Sequence, residues 1–480
     1  MMGGPAMRLL PILFLALGTP AAVASVDVML ALDRSLSMAS NDPDRDSLKG
    51  VEVFSALLKP DDELGIITFA ETAELGVAGR DMAEADARTD IDAFLREVVM
   101  DGKRTNFGAA LRLGYETFAH QDVKFGAERF LVLFTDGQLN LGAEAATQAA
   151  RRAIFDELLP LYRSAGIRIF GLAFSSEADL DFLGRLADST NGRAFRAEKA
   201  EDLYAAFVQL FEQLDIPLTT PIAGDQIQVD ENVKGLELLV KRGPDGGQMR
   251  LIDPVNQTLT VADGRSGVEW QSFDDFDHIR IQDPQPGTWR LATSSTDSKA
   301  YIESDLDLEA EIPPRVRAGE GVTVEARLVN HDPDGDSALI EGARLEARIQ
   351  SASGWEQPPI SFESVSMDDD AHDFRGTLLF TSMGDARVEL TARGRGFRRT
   401  KHYPIEVAAA VSALDSVPAN DQDPKAKGGE PIPATPPEQS AAVTLLFANA
   451  LILALLALIL GAWWWRRCRM ADRDESDLDV

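Results

Sequence analysis

From residue 26 to about residue 215 the chain alternates between two hydrophobic periods, and this alternation restricts the fold more than any other feature. Short, mostly apolar runs at 26–32, 64–69, 130–134 and 167–174 have the length of strands buried on both faces. Helical patterns lie between and after them, at 46–58, 87–99, 107–119, 143–165, 178–187 and 200–214. In the first of these, Leu48, Val51, Phe54, Ser55 and Leu58 fall on one face. Asn191-Gly192 marks a tight turn before a last short strand. Strands separated by helices imply an α/β fold, a doubly wound and mainly parallel sheet covered on both sides. In such sheets ligands bind at the carboxyl ends of strands, near a reversal of strand order.

Asp33 and Asp136 stand immediately after two of the apolar runs. Asp33 opens Asp33-Arg34-Ser35-Leu36-Ser37, and Asp136 lies in Thr135-Asp136-Gly137. Thr105 lies in Gly102-Lys103-Arg104-Thr105-Asn106, just before a helical pattern. Asp33, Ser35, Ser37, Thr105 and Asp136 are all hard oxygen donors, suited to magnesium or manganese with one position left open. Hydroxyls bind such an ion without cancelling its charge, and carboxylates can orient its waters. The ion then seeks one more anionic oxygen, which an Asp or Glu of another protein can supply. No base or nucleophile accompanies the set, so it reads as a docking site and not as a reaction site.

These residues resemble the metal-ion-dependent adhesion site of the von Willebrand factor type A family, over residues 26–215. The resemblance implies that Ser35, Ser37 and, in some states, Thr105 bind the ion directly. It implies that Asp33 and Asp136 act directly or through water, depending on conformational state. It also implies a switch in which the last helix, here 200–214, shifts when a ligand binds.

After residue 215 helical periodicity ends and turn dipeptides multiply, so two small all-β domains are expected, at 218–302 and 305–407. In the first, residues 235–240 and 248–252 read as one strand pair, and 278–282 and 288–292 as another. The second reads as an immunoglobulin-like sandwich with strands at 322–329, 343–349, 374–380 and 386–392. Between its strands Asn330, Asp332, Asp334, Asp336 and Glu341 fit the ligand spacing of a calcium loop. With strand flanks and Pro333 inside it, the same stretch also reads as an acidic hairpin loop.

Residues 1–24 read as a signal peptide, with Arg8, an apolar core at 9–17 and a small-residue cleavage site. Residues 408–440 read as a Pro-rich flexible stalk. Residues 441–465 are uncharged and long enough to span a bilayer. Trp463–Trp465 and Arg466, Arg467 and Arg469 then place the tail, 466–480, on the cytoplasmic side. The expected protein is single-pass, its N-terminus outside, in a bacterial inner membrane with a periplasmic ectodomain. The one cysteine, Cys468, lies in the tail, so packed cores and not disulfides must stabilise the rest.

A net charge of −31 argues against nucleic acid as a partner. The five histidines are scattered, and neither a nucleophile elbow nor a phosphate-cradling loop is present, so no enzymatic activity is expected. The sequence therefore points to a membrane-tethered module that binds a protein partner bearing an exposed Asp or Glu. An assembly or scaffolding factor of a membrane complex, linked to an AAA-type ATPase, is the alternative.

Overall fold

The computed structural model describes residues 25–409, except 122–123, 125, 243–247, 274–275, 293–297, 333–338, 352, 356 and 369. The expected signal peptide, nearly all of the stalk, the apolar span and the tail lie outside the described residues. Among the described residues no helix is long and apolar enough to cross a membrane.

The first domain is built on strands β1 (Val26–Asp33), β2 (Glu63–Phe69), β3 (Ala73–Asp81), β4 (Glu128–Thr135), β5 (Arg168–Phe174) and β6 (Ala194–Ala197). They form one sheet in the order β3-β2-β1-β4-β5-β6. Every neighbouring pair is parallel except β2 and β3. The chain lays β2 and β3 on one side of β1, then returns to lay β4 on the other. The strand order thus reverses between β1 and β4, whose carboxyl ends carry Asp33 and Asp136.

Burial on both faces explains the mostly apolar runs. Val28, Leu30, Leu32, Val132 and Phe134 enter one core, while Met29, Ala31, Leu131 and Leu133 enter the other. The first core is closed by helices α2 (Asp46–Leu57) and α8 (Ala200–Asp215), the latter through Phe207 and Phe211. Gly50 of α2 lets the Phe207 ring approach, since a Cβ there would lie 2.4 Å from it. The second core is closed by α4 (Phe107–His120) and α7 (Leu180–Asp188), where Phe107 and Phe182 stack.

The apolar-run reading passed over β3 because only Val77 of that strand is buried. It is an antiparallel edge strand, and its sequence has no apolar run to show. The helical pattern at 143–165 is not one regular helix. It comprises α5 (Glu144–Ala153), a π-helical turn (Ile154–Leu158) and α6 (Leu159–Ser164). Pro160 lacks the amide that would continue the regular ladder, and the widened turn lies just before it. The remaining helices are α1 (Leu36–Asn41) and α3 (Ala87–Glu97).

The chain continues into two β-sandwiches. In the first, a sheet of Val268–Ser272, Phe276–Gln282, Val233–Lys241 and Lys299–Ser304 faces a sheet centred on Gly287–Leu291 and Gln226–Val229. The two strand pairs expected from sequence do not form. Val233–Lys241 pairs with Phe276–Gln282 and Lys299–Ser304, while Leu251–Ile252 pairs with Gly287–Leu291 and Thr258–Leu259. Alternation tells which face of a strand is buried, and it does not name the neighbour. The second sandwich packs the sheet of Leu306–Ala310, Gly321–Asn330, Ala371–Leu379 and Glu363–Met367 on one containing Arg344–Ser351, Gly384–Gly394 and Phe397–Ala408.

The three parts share cores and buried polar contacts. Leu239, Phe276 and Tyr301 of the first sandwich complete the core that α2 and α8 cover. Arg280 donates to the carbonyls of Ala56 and Leu58 at 2.9 and 3.0 Å, satisfying acceptors at the end of α2. Arg399 of the second sandwich is fully buried and grips both carboxylate oxygens of Asp230 in the first, at 2.7 and 3.0 Å.

Candidate metal centre

The five singled-out side chains converge at the carboxyl end of the sheet. Asp33 is the last residue of β1 and is fully buried. Its Oδ1 accepts from the Ser35 amide at 2.8 Å, which folds the chain back toward the sheet. Its Oδ2 accepts from the Thr135 hydroxyl at 2.6 Å, across the switch between β1 and β4. The Ser35 and Ser37 hydroxyls lie 2.9 Å apart, and Ser37 donates to Asp136 Oδ1 at 2.9 Å. Asn41, one turn further along α1, donates to Asp136 Oδ2 at 2.8 Å.

Thr105 comes from a different part of the chain and is placed by backbone bridging. Its amide and carbonyl bond to those of Asn140 at 3.1 and 3.0 Å. Gly102 bonds back to Arg34 and Leu36, so the 102–105 loop lies along the serine loop. Asn106 then caps α4 by accepting from the Ala109 amide. A Cβ built on Gly137 would lie 3.8 Å from both Ser37 Oγ and Thr105 Oγ1. Gly137 therefore faces the space that the two hydroxyls border.

Two buried carboxylates without a cation define the electrostatics. Asp136 is 1% exposed and Asp33 fully buried, and among the described residues no lysine or arginine contacts either one. Arg34 turns instead to Asp101, at 2.6 Å, and Glu74, at 3.5 Å. Burial pushes the Asp33 carboxyl up to about 7, against the hydrogen bonds from Thr135 and Ser35 that favour its charged form. Burial likewise raises Asp136, and nearby Glu177 adds to the rise against hydrogen bonds from Ser37 and Asn41. Buried charges are ordinarily paired or bound to metal. Three hydroxyls and two such carboxylates are the donor set a hard divalent cation takes, so the residues fit one.

A cleft of about 430 Å³ opens beside Ser37 and Asp136. The loop after β5 forms its far wall with Glu177, Ala178 and Asp179. That loop is fastened by Ser175, whose backbone is left-handed (φ 83°) and whose hydroxyl donates to the Asp136 carbonyl at 3.0 Å. The sequence reading did not single out Asn41, Thr135, Gly137 or Ser175 as site residues. Thr135 and Gly137 flank Asp136 in the motif, and Asn41 sits at a helical spacing from Ser37. Ser175 leaves no signal in the sequence.

Only part of the expected calcium loop lies among the described residues. Asn330 is buried and its Oδ1 accepts from the Asp332 amide at 3.2 Å. Glu341 is exposed, and Asp334 and Asp336 lie outside the described residues.

Residues 27–209 match the von Willebrand factor type A domain family, and the first domain is a domain of that type. Residues 219–301 match the hemicentin galactose-binding domain-like family. No curated protein sequence matches the chain. Among solved structures, a von Willebrand factor type A protein from Catenulispora acidiphila is similar at 11% identity, over 80% of this chain and 67% of that one, with a TM-score of 0.33. Proximal thread matrix protein 1 from the mussel byssus, with a zinc-occupied adhesion motif, is similar at 15% identity over 44% of this chain and 50% of that one, with a TM-score of 0.33. An aerotolerance-related membrane protein from Bacteroides fragilis is similar at 19% identity over 39% of this chain and 99% of that one, with a TM-score of 0.30.

Proposed function

We propose that this protein binds another protein through a divalent cation, magnesium or manganese, held by Asp33, Ser35, Ser37, Thr105 and Asp136. The partner contributes an exposed Asp or Glu. The burial of Asp33 and Asp136 among neutral donors carries this reading. When bound, the ion supplies an electropositive position that a carboxylate can enter. The residues of the chain do the rest. Ser35, Ser37 and Thr105 offer uncharged oxygens, while Thr135 and Asn41 hold the two carboxylates in orientation.

In this reading the described domains stand outside the cell membrane on one C-terminal helix, facing the periplasm. The apolar run at 441–465, with its following arginines, supports that tether. The test is calorimetric titration of magnesium and manganese into wild type and Asp33→Ala. It is followed by capture of envelope proteins with metal, with chelator, and with the variant. A partner retained by wild type only when metal is present supports the reading. Equal retention in all three overturns it.

A further inference from the structure

We propose a second divalent-cation site in the last β-sandwich, formed by Asp307, Glu309 and His331 and suited to a zinc- or manganese-type ion. Asp307 and Glu309 are two apart on the strand Leu306–Ala310, so both project from the same face. His331 directly follows the neighbouring strand, Gly321–Asn330, in which Asn330 lies opposite Leu306. The His331 amide donates to the Asp305 carbonyl at 2.8 Å, which keeps the imidazole beside the two carboxylates. The three potential ligand atoms all lie within 4.8 Å of one another. A bound zinc would take imidazole and carboxylate ligands at roughly 2.0–2.2 Å.

The surroundings support a cation at this place. Tyr403 is 4% exposed. It borders the same groove as Glu309 and Lys401. A buried phenol beside two carboxylates can orient a ligating oxygen. The Lys401 ammonium lies 2.9 Å from Asp307 Oδ1 and 3.3 Å from Oδ2. It competes with a cation for that carboxylate. One imidazole with two carboxylates selects a borderline ion over calcium, which takes oxygen ligands. His331 lies within the calcium loop read from the sequence, but the site uses none of that loop's proposed ligand positions.

Zinc titrated by calorimetry into the full chain carrying Asp33→Ala, which silences the first site, is expected to bind at one site per chain. Adding His331→Ala should weaken that binding by about tenfold or more, and Glu309→Gln should do the same if His331→Ala does not fold. Lys401→Met should tighten it by removing the competing ammonium. Cobalt in place of zinc should give a ligand-field absorption that disappears with His331→Ala. Failure of the Asp33→Ala chain to bind zinc, or equal binding with and without His331, overturns the proposal. Either result leaves the first-domain reading untouched.

Discussion

Lys299 of the first β-sandwich lies 2.8 Å from Glu212 of α8, and Glu212 is 5% exposed. This contact fastens the last helix of the first domain to a strand of the next. Phe211 of the same helix meets Tyr301 edge-on, with ring centroids 5.6 Å apart. The helix that would shift in a ligand-driven switch is thus held from both sides, by its own sheet and by the sandwich. Burial alone would raise Glu212, but the Lys299 ammonium, with Arg387 and His402 nearby, outweighs it and holds the carboxyl below its ordinary range. Its stabilising contribution is therefore present above the ordinary carboxylate range and is lost as pH falls through the lowered folded value.

Lys299→Met leaves the Glu212 carboxylate buried without its partner. Breaking a buried pair costs roughly 3–5 kcal/mol, and the loss here should fall toward or below the low end because Lys299 is 31% exposed. Urea unfolding at neutral pH measures it. Restoring stability with Glu212→Gln in the same chain would confirm that the unpaired charge is responsible.

Arg399→Met should destabilise the β-sandwiches while leaving cation binding by the first domain intact. Arg399 is fully buried, and besides Asp230 it bonds Ser304 Oγ and the Leu306 carbonyl. The expected loss is roughly 3–5 kcal/mol, read from denaturant unfolding, with magnesium titration as the control.

Gly137→Ala is expected to abolish cation binding without disturbing the fold. The added methyl would contact Ser37 Oγ and Thr105 Oγ1 at 3.8 Å, an ordinary van der Waals distance. It would nevertheless fill the space those hydroxyls border. Stability should change by no more than about 0.5–1 kcal/mol, while magnesium affinity falls at least about tenfold. Thermal melting with and without magnesium reads both effects, since a bound ion at about a hundred times its dissociation constant adds ~2.7 kcal/mol.

The metal-free protein should lose stability as pH rises from about 5 to about 7.5. Burial is the main cause that raises Asp27 and Asp33 to about 7 and Asp62 to about 6. The folded state keeps these protons after the unfolded chain, with its carboxyls near 3.8, has released them. Their contribution is full below the unfolded value and is lost as pH climbs through the folded ones. Each unit of upward shift corresponds to about 1.4 kcal/mol. Saturating magnesium should remove the Asp33 share of the decline by holding that carboxylate ionised, while the Asp27 share persists. Urea midpoints at the two pH values, with chelator or with magnesium, measure this.

The sequence by itself determined the architecture of the first domain, because strands buried on both faces are apolar at most positions. Val26–Asp33, buried throughout, is legible for that reason. It also placed Asp33 and Asp136 at the carboxyl ends of two such strands, where a site is expected. It did not reveal β3, whose side chains mostly face solvent, nor the π-helical turn before Pro160. It paired strands of the first sandwich wrongly, because alternation encodes a face and pairing is a long-range choice. Only the tertiary structure decided that Asn41 and Thr135 hold the two carboxylates, and that no lysine or arginine among the described residues neutralises them. Only the tertiary structure brought Asp307 and His331 together and wedged α8 between two sheets. These relationships join residues far apart in the chain, and packing, not local propensity, selects them.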